Sequence, residues 1–258
     1  MFTLGIDIGS TTSKCVLLED GKTIRCKSLI QAGTGTDGPA RAFQEILDQS
    51  GLKREDIAYI MATGYGRTTF EGMDGELSEL SCHCKGVYSV APEVRTIIDI
   101  GGQDAKVIRV GSTGKIRNFL MNDKCAAGTG RFLDVMAGIL QLDVDELGGY
   151  ALKAEQAVKI SSTCTVFAES EVISQLSKGV NLPDLIAGIC NSVASRVAAL
   201  AKRAGVQEAV YMSGGVAKNV GVRKALEREL GTIVHYTEDA QFMGALGAAA
   251  AGYDKVCK

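Results

Sequence analysis

Gly-Ile-Asp-Ile-Gly-Ser-Thr-Thr-Ser-Lys occupies residues 5–14, and a closely related stretch, Ile-Ile-Asp-Ile-Gly-Gly-Gln-Asp-Ala-Lys, occupies residues 97–106. In both copies an apolar strand ends in Ile-Asp-Ile-Gly, and a lysine follows seven residues after the aspartate. A second apolar strand comes next, followed by a Gly-Lys turn at 21–22 and 114–115. The shared register predicts a three-stranded β-meander that occurs twice in the chain.

The turns between the first two strands of each meander have the composition of phosphate-binding loops. Backbone N–H groups and hydroxyls in such turns can converge on phosphate oxygens, and the preceding aspartate can hold Mg²⁺ through water or orient a nucleophile. Two facing copies could clamp a nucleotide from opposite sides. We expect one side to comprise Asp7, Ser10, Thr11, Thr12, Ser13 and Lys14, and the other Asp99, Gly101, Gly102 and Gln103, with Asp7, Asp99 and Gln103 as the catalytic residues.

The rest of the chain alternates between helical and strand patterns, as an α/β fold does. We expect helices at 38–49, 77–90, 165–178 and 184–204, strands at 57–62 and 209–212 and near Ile233, and a Gly-Ala-rich helix around 244–250. The second of these strands opens into a turn with Gly214, Gly215 and Ala217, where paired glycines allow close approach of the adenosine end of a nucleotide. The expected first lobe is 1–92, completed by the C-terminal helix at about 238–258. The second lobe is 93–237.

Two cysteines have settings that favour reactivity or metal binding. Cys125 stands next to Lys124 in the stretch 122–131, ahead of two glycines and an amphipathic run, so we expect it at or just before a helix N-terminus. Cys164 follows the hydroxyl residues 161–163 and precedes another helical run. A helix N-terminus and a neighbouring cation both stabilise a thiolate. The alternative is that both are buried structural thiols, and placement alone leaves this open.

The other cysteines carry less information. The chain has eight cysteines and no Cys-x-x-Cys pair, and a disulfide framework is not expected in a reducing compartment. Cys15 and Cys190 lie in apolar runs and indicate core positions, and Cys257 is near the end of the chain. Cys82 and Cys84 flank His83 and could suggest a metal cluster, but on the expected helix they diverge, so we favour core positions for both.

Composition and charge narrow the classes of function. The net charge of −2 and the lack of a long basic stretch argue against nucleic-acid binding. We find no apolar run of the roughly 18 residues that a membrane span needs, and no secretory signal at the start of the sequence. A cytoplasmic location is therefore the expectation.

Taken together, the two Ile-Asp-Ile-Gly hairpins, the Met212-Ser213-Gly214-Gly215 turn and the Gly-Ala-rich helix resemble the actin, sugar-kinase and heat-shock-chaperone ATPase superfamily. That resemblance implies duplicated ribonuclease-H-like lobes with the nucleotide in the interlobe cleft. Four motifs, at 63–67, 79–83, 122–132 and 161–171, resemble the activators (component A) of 2-hydroxyacyl-CoA dehydratases, akin to the ATPase subunits of benzoyl-CoA reductase. Gln241 is a further expected adenosine-binding residue, because of the position that it occupies in this family.

The resemblance implies that Cys125 and Cys164 are cluster ligands. Two thiolates per chain cannot complete the four-cysteine shell of a [4Fe–4S] cluster, but a symmetric dimer that places both pairs at its twofold axis can. The resemblance thus implies an oxygen-sensitive homodimer with one bridging cluster, and ATP or ADP with Mg²⁺ in each subunit. It also implies a ferredoxin or flavodoxin as electron donor and a 2-hydroxyacyl-CoA dehydratase as acceptor.

The activity implied by this resemblance is ATP hydrolysis coupled to one-electron transfer. A benzoyl-CoA-reductase-type ATPase subunit is an alternative within the family. A small-molecule kinase of the same fold is another, although it has no use for paired cysteines flanked by glycines. A nucleotide-dependent assembly module, such as actin or a chaperone, would predict filaments or peptide binding without redox change.

Overall fold

The structure is a computed structural model that describes residues 1–160 and 164–257. Strands and helices alternate along this part of the chain. The strands are β1 (Phe2–Ile8), β2 (Ser13–Glu19), β3 (Thr23–Ile30), β4 (Ile57–Thr63), β5 (Gly75–Glu76), β6 (Thr96–Ile100), β7 (Ala105–Val110), β8 (Ile116–Asn122), β9 (Val210–Ser213) and β10 (Val234–His235). The helices are α1 (Gly38–Ser50), α2 (Glu79–Val90), α3 (Gly130–Leu140), α4 (Leu147–Ala151), α5 (Thr165–Ser177), α6 (Leu182–Ala204), α7 (Val220–Leu230) and α8 (Met243–Val256).

The described chain divides into two compact units. Unit 1 contains Met1–Val94, Val110–Ile116 and Gln241–Lys258, and unit 2 contains Arg95–Arg109 and Arg117–Ala240. The segment Val110–Ile116 thus groups with unit 1, whereas the sequence pattern had placed it within a second lobe of 93–237. Hydrogen bonds explain the grouping, because the Tyr88 hydroxyl donates to the Ser112 carbonyl and the Cys84 thiol donates to the Gly114 carbonyl.

Each unit is built on a mixed sheet, and the two sheets have the same strand order. In unit 1 the order is β3-β2-β1-β4-β5, and in unit 2 it is β8-β7-β6-β9-β10. In unit 1, β1 pairs antiparallel with β2 and parallel with β4, and in unit 2, β6 pairs antiparallel with β7 and parallel with β9. The duplication predicted from the two meanders is therefore confirmed for whole sheets, including strands for which the sequence shows no obvious repeat.

The core of unit 1 forms around β1, which is buried on both faces and carries its apolar residues on one of them. Leu4, Ile6 and Ile8 are all fully buried, since α1 packs on the meander while α8 packs on β1 and β4. Close approach of α8 requires small residues: a methyl group at Gly5 would overlap the Ala245 carbonyl, and one at Gly247 would overlap the Cys82 carbonyl. The Gly-Ala-rich composition of the last helix therefore reflects its packing against β1 and α2.

Helix α6 is the central helix of unit 2. Its inward side chains, among them Ile189, Val193 and Val197, are buried in one cluster with β6, β9 and α3. By length and composition α6 is apolar enough to cross a membrane, although no such run had been predicted from the sequence. In the described structure 67% of its most apolar window is buried, as is typical of a core helix.

Candidate functional site

The two predicted turns place an aspartate and a lysine opposite each other in each unit. Asp7 and Lys14 are cross-strand partners in unit 1, and Lys14 Nζ lies 3.4 Å from Asp7 Oδ2. Asp99 and Lys106 are partners in unit 2, again with 3.4 Å between Nζ and Oδ2. The seven-residue spacing seen in the sequence is therefore the spacing of a direct pair across the hairpin.

The backbone of the two turns is also alike. The Gly9 N–H donates to the Thr12 carbonyl over 2.9 Å, and the Gly101 N–H donates to the Asp104 carbonyl over the same distance. Ser10, Thr11, Gly102 and Gln103 occupy the positions between these ends and are all at least partly exposed, so they can reach a ligand. Ser13 differs from them, because it is fully buried and its hydroxyl donates to the Ala32 carbonyl over 2.8 Å.

A second correspondence between the units was missed in the sequence. Asp7 is the parallel-strand partner of Thr63, and Asp99 is the partner of Ser213. In each case a glycine with positive φ follows: 88° at Gly64 and 84° at Gly214. A Cβ at Gly64 would lie 2.5 Å from Asp7 Oδ1, and one at Gly214 would lie 3.0 Å from Asp99 Oδ1. The signal, a small hydroxyl residue and a glycine after an apolar strand, is too short to stand out.

The third correspondence joins the phosphate turn to the segment that follows each meander. Ala-Gly-Thr-Gly occurs at 32–35 and again at 127–130. In unit 1 the Thr34 N–H donates to the Gly9 carbonyl over 2.9 Å, and in unit 2 the Gly130 N–H donates to the Gly101 carbonyl over 2.8 Å. The Arg131 N–H adds a bond of 2.8 Å to the Gly102 carbonyl. The start of α3 is therefore fastened to the predicted phosphate turn of unit 2.

The predicted adenosine residues divide between the units. Gly214, Gly215 and Ala217 form the turn after β9 in unit 2, whereas Gln241 begins the C-terminal segment of unit 1. The turn is supported from α7: Arg223 donates to the Ala217 carbonyl, and its guanidinium lies 3.6 Å from the centre of the Tyr236 ring. This arginine and tyrosine, which no sequence motif indicated, fix the course of the turn.

Cys125 is exposed, but it does not begin a helix as the sequence predicted. It lies in the segment between β8 and α3, and α3 begins only at Gly130. A turn intervenes, because Gly128 has a φ of 90° and the Thr129 N–H and hydroxyl both donate to the Ala126 carbonyl. The Asn122 side chain holds the cysteine segment by donating to the Cys125 carbonyl over 2.9 Å.

Cys164 is exposed and is the N-cap residue of α5. Residues 161–163 of the predicted motif lie outside the described part of the chain. The N–H groups in the first turn of a helix have no partner within the helix, so α5 offers donors and its positive dipole end near this thiol. Helices α3 and α5 pack against each other, and both cysteine segments belong to unit 2.

The segment ahead of Cys164 is anchored from α6. Asp184 Oδ1 accepts hydrogen bonds of 2.8 Å from the N–H groups of Glu155 and Gln156, and Asp184 Oδ2 accepts one of 2.7 Å from the Asn181 amide. The backbone bond from Gln156, with the other two, holds the pKa of Asp184 below its usual value. A carboxylate held ionised in this way fixes the backbone at Glu155 and Gln156.

Four of the other cysteines have the structural surroundings that the sequence predicted. Cys15, Cys82, Cys84 and Cys190 are buried. Burial raises the pKa of Cys82 to about 12, that of Cys84 to about 11 and that of Cys190 to about 12. Burial thus disfavours the thiolate, the form that binds metal, at these three thiols. Cys257 is exposed beyond the end of α8.

Comparison with known proteins identifies close relatives. The chain is 58% identical over 259 residues to the (R)-2-hydroxyglutaryl-CoA dehydratase activating ATPase of Acidaminococcus fermentans, covering 100% of this chain and 99% of the relative. It is 54% identical over 255 residues to the 2-hydroxyisocaproyl-CoA dehydratase activator of Clostridioides difficile, with 99% and 96% coverage. A solved structure of the activator of the 2-hydroxyisocaproyl-CoA dehydratase from Clostridium difficile, with bound ADPNP, superposes with a TM-score of 0.98 at 53% identity, covering 100% of this chain and 96% of that one.

More distant matches agree with the fold class. A benzoyl-CoA reductase component from Thauera aromatica is 32% identical over 258 residues, with 96% of this chain and 91% of the relative covered. A ROK family glucokinase from Streptomyces griseus superposes with a TM-score of 0.58 at 13% identity, covering 98% and 100% of the two chains, and so shares the fold alone. The predicted actin-like ATPase and sugar-kinase architecture is thus confirmed.

Residues 4–252 match the sequence profile of one ATPase family, which is nearly the whole chain. This span contains both predicted phosphate turns, the turn after β9 and both exposed cysteine segments of unit 2. The chain is an ATP-binding protein and an ATPase, and it belongs to the BadF/BadG/BcrA/BcrD ATPase family.

Proposed function

We propose that this chain activates a 2-hydroxyacyl-CoA dehydratase by delivering electrons to it at the expense of ATP. Relatives that carry this function in their names are 54–58% identical to it over nearly their whole length. The observation that carries the proposal is the pair of exposed thiols, Cys125 and Cys164, in the same unit as a phosphate turn. A plain kinase of this fold has no use for such a pair.

ATP hydrolysis is assigned to the two duplicated turns. Unit 1 offers Asp7 and the turn residues 10–14 to the phosphates, and unit 2 offers Asp99 and residues 101–103. Asp7 and Asp99 are buried carboxylates, the ligand type that Mg²⁺ takes, commonly through retained waters. Mg²⁺ bound together with ATP would neutralise negative charge on the phosphates. Gly214, Gly215, Ala217 and Gln241 are assigned to adenosine.

The thiols of unit 2 fit half of the ligand set of a [4Fe–4S] cluster. Such a cluster takes four thiolates, so we propose a homodimer in which each subunit supplies Cys125 and Cys164. When bound, the cluster supplies a one-electron carrier. The first-turn N–H groups of α5 lie beside Cys164 and offer hydrogen-bond donors to a cluster held there. Exposed apolar side chains on the same helix, Val166 and Phe167 at 67% and 70% exposure, would exclude water from the dimer contact.

The fastening of α3 to the phosphate turn supports coupling between ATP and the cysteines. The Gly130 and Arg131 N–H groups bind the carbonyls of Gly101 and Gly102, and Cys125 lies just ahead of α3 in the chain. A shift of the turn on hydrolysis would therefore move the start of α3. The size of the effect is limited by the difference in nucleotide affinity between the two arrangements.

The electron donor and the location complete the proposal. A ferredoxin or flavodoxin matches the need for a one-electron donor, and the cytoplasm is where both such donors and reduced thiols are found. A benzoyl-CoA-reductase-type role is the alternative within the family. The higher identity to the dehydratase activators, 58% against 32%, favours the first assignment.

Reconstitution without oxygen tests the function. The purified chain is mixed with reduced ferredoxin, ATP and the dehydratase of one of its relatives, and loss of the 2-hydroxyacyl-CoA is followed. We expect the 2-hydroxyacyl-CoA to be dehydrated only when ATP is present. The Cys164→Ser variant should support no dehydration. ATP hydrolysis without activation of any such dehydratase would contradict the partner assignment, and phosphorylation of a small acceptor would favour a kinase.

A further inference from the structure

His83 belongs to the stretch Glu79–Cys84, to which no function has been assigned so far. The two cysteines beside it are buried, and burial raises the pKa of both thiols, as is typical of structural cysteines. His83 is also buried, with 3% of its surface exposed, although it is polar and lies on α2 among residues that pack against α8. A buried imidazole on a helix interface calls for polar surroundings.

The surroundings of His83 within unit 1 are provided by Glu79, Asp7 and Gly244. His83 Nε2 lies 3.9 Å from Glu79 Oε1, one helical turn earlier on α2. A Cβ at Gly244 of α8 would lie 2.9 Å from His83 Nε2 and also 2.9 Å from Asp7 Oδ2. The imidazole nitrogen and the carboxylate oxygen therefore border the same small notch, which exists because residue 244 has no side chain.

The notch is suited to a water molecule by its chemistry, because a carboxylate oxygen and an imidazole nitrogen border it. The two atoms that border it are close enough for one water to bridge them, and a bridging water binds nearly as well as a direct hydrogen bond. Asp7 Oδ2 is an acceptor that also faces Lys14 Nζ at 3.4 Å. Gly64 packs closely against the other carboxylate oxygen, since a Cβ there would lie 2.5 Å from Asp7 Oδ1. Two glycines thus allow the backbone to approach both oxygens of Asp7, and a side chain at either position would disturb the carboxylate.

We propose that His83 is a positioning residue for ATP hydrolysis, which holds the attacking water against Asp7 in this notch. The water oxygen forms a bond to the γ-phosphorus while the bond to the β–γ bridging oxygen breaks, and the bond's electron pair leaves with ADP. One water proton passes to the Asp7 carboxylate and from there to solvent. Glu79 lies within ion-pair distance of the imidazole and sets its orientation. The inference rests on the proposed role of Asp7 in the phosphate site.

Filling the notch tests the inference with little change elsewhere. Gly244→Ala places a methyl group between Asp7 and His83, whereas Gly252→Ala on the same helix meets the Tyr59 ring at 3.2 Å and the Met61 Cβ at 3.7 Å. We expect Gly244→Ala to lower kcat for ATP about 100-fold, because misplacing a reacting group by about 1 Å costs that much. The affinity for ADP should remain within about twofold. Gly252→Ala should change neither quantity, and equal effects of the two substitutions would overturn the proposal.

Replacing the imidazole gives an independent measurement. His83→Gln keeps a nitrogen donor of similar reach and should retain more of the kcat than His83→Leu, with KM for ATP little changed in both. A wild-type kcat in His83→Leu would overturn the proposal. If His83→Leu does not fold, as judged by its circular dichroism, the comparison of Gly244→Ala with Gly252→Ala decides the question.

A third variant distinguishes failure of this inference from failure of the proposed function. If Asp7→Asn hydrolyses ATP at the wild-type rate, the phosphate site itself is wrongly assigned and the role of His83 falls with it. If Asp7→Asn is inactive while His83→Leu and Gly244→Ala are fully active, the phosphate site stands and His83 has no part in it.

Discussion

The Ser213 hydroxyl donates a hydrogen bond of 2.8 Å to Asp99 Oδ1, and the two residues are direct partners on the parallel strands β9 and β6. Both side chains are buried. The bond fixes one oxygen of the carboxylate while Lys106 faces the other at 3.4 Å. Asp99 is therefore held in one orientation before any ligand arrives, which is the arrangement that an orienting or metal-binding carboxylate needs.

Removing this hydroxyl should affect catalysis more than stability alone would explain. Ser213→Ala removes this donor from Asp99 Oδ1, and we expect kcat for ATP to fall about tenfold or more, as positioning groups typically contribute. Ser28→Ala is the matched control, because Ser28 is also buried and donates over 2.7 Å, but to the Ala42 carbonyl. Both variants should lose about 1–3 kcal/mol of unfolding free energy. Equal kcat values in the two variants would argue against a role for the Ser213 bond.

The ion pairs of Lys106 are expected to stabilise unit 2 far more than a surface pair of the same length. Lys106 Nζ lies 2.7 Å from Asp104 Oδ2 and 3.4 Å from Asp99 Oδ2, and its side chain is 2% exposed. Lys106→Met removes the cation that faces these carboxylates and should lower the free energy of unfolding by about 3–5 kcal/mol.

Lys224→Met provides the comparison for Lys106. Lys224 Nζ also lies 2.7 Å from a carboxylate oxygen, that of Glu227, but its side chain is 55% exposed. An exposed pair contributes about 0–1 kcal/mol. Denaturant titration of both variants measures the difference. Comparable losses would mean that the buried pairs of Lys106 add little beyond an ordinary surface contact.

The buried thiols predict a loss of stability at alkaline pH. Burial raises the pKa of Cys190 to about 12 and that of Cys82 to about 12, from an ordinary value of 9.0. Above pH 9 the unfolded chain releases these protons while the folded chain keeps them, so folding is penalised as the pH rises towards 12. Each such thiol lowers the free energy of unfolding by about 1.4 kcal/mol per pH unit in that window. Cys190→Ala should flatten the decline between about pH 9 and 10.5 in denaturant titrations, and an unchanged slope would contradict the assignment.

The cluster ligands can be separated from other exposed thiols by serine substitution. If Cys125 and Cys164 bind the cluster, Cys125→Ser and Cys164→Ser should each abolish normal iron binding and weaken the dimer, because a bound metal stabilises the state that holds it. Cys257→Ser is the control, since Cys257 is also exposed. Together with the substitutions at Cys15, Cys82, Cys84 and Cys190 it should keep roughly four irons per dimer. Iron content and mass in solution are measured without oxygen, and a monomer with four irons would refute the bridging arrangement.

Short-range patterns in the sequence were enough to predict the hairpins and their aspartate–lysine register. They did not reveal that Thr63-Gly64 and Ser213-Gly214 are equivalent, because each pair is joined to its aspartate by parallel pairing between strands far apart in the chain. Ser213 and Asp99, for example, are 114 residues apart. The start of α3 was misplaced for a related reason. Hydrogen bonds to Gly101 and Gly102, which no local pattern shows, fix that start at Gly130.

These same bonds allow a test of coupling between nucleotide and cysteines. Gly130→Pro removes the N–H that donates to the Gly101 carbonyl, and proline is tolerated at the first position of a helix. Gly130→Ala is the control: both variants add a Cβ, which would lie 3.1 Å from that carbonyl oxygen, but alanine keeps the donor.

The measurement is the rate at which a chelator removes iron, without oxygen, in the presence of ADP or of a non-hydrolysable ATP analogue. In the wild type and in Gly130→Ala the two rates should differ, because the phosphate turn carries the start of α3 with it. In Gly130→Pro the rates should converge, since one of the two backbone bonds is gone and the second, from Arg131, is displaced with it. A full difference retained in Gly130→Pro would exclude this link, and equal rates in the wild type, with equal midpoint potentials, would mean that ATP acts elsewhere.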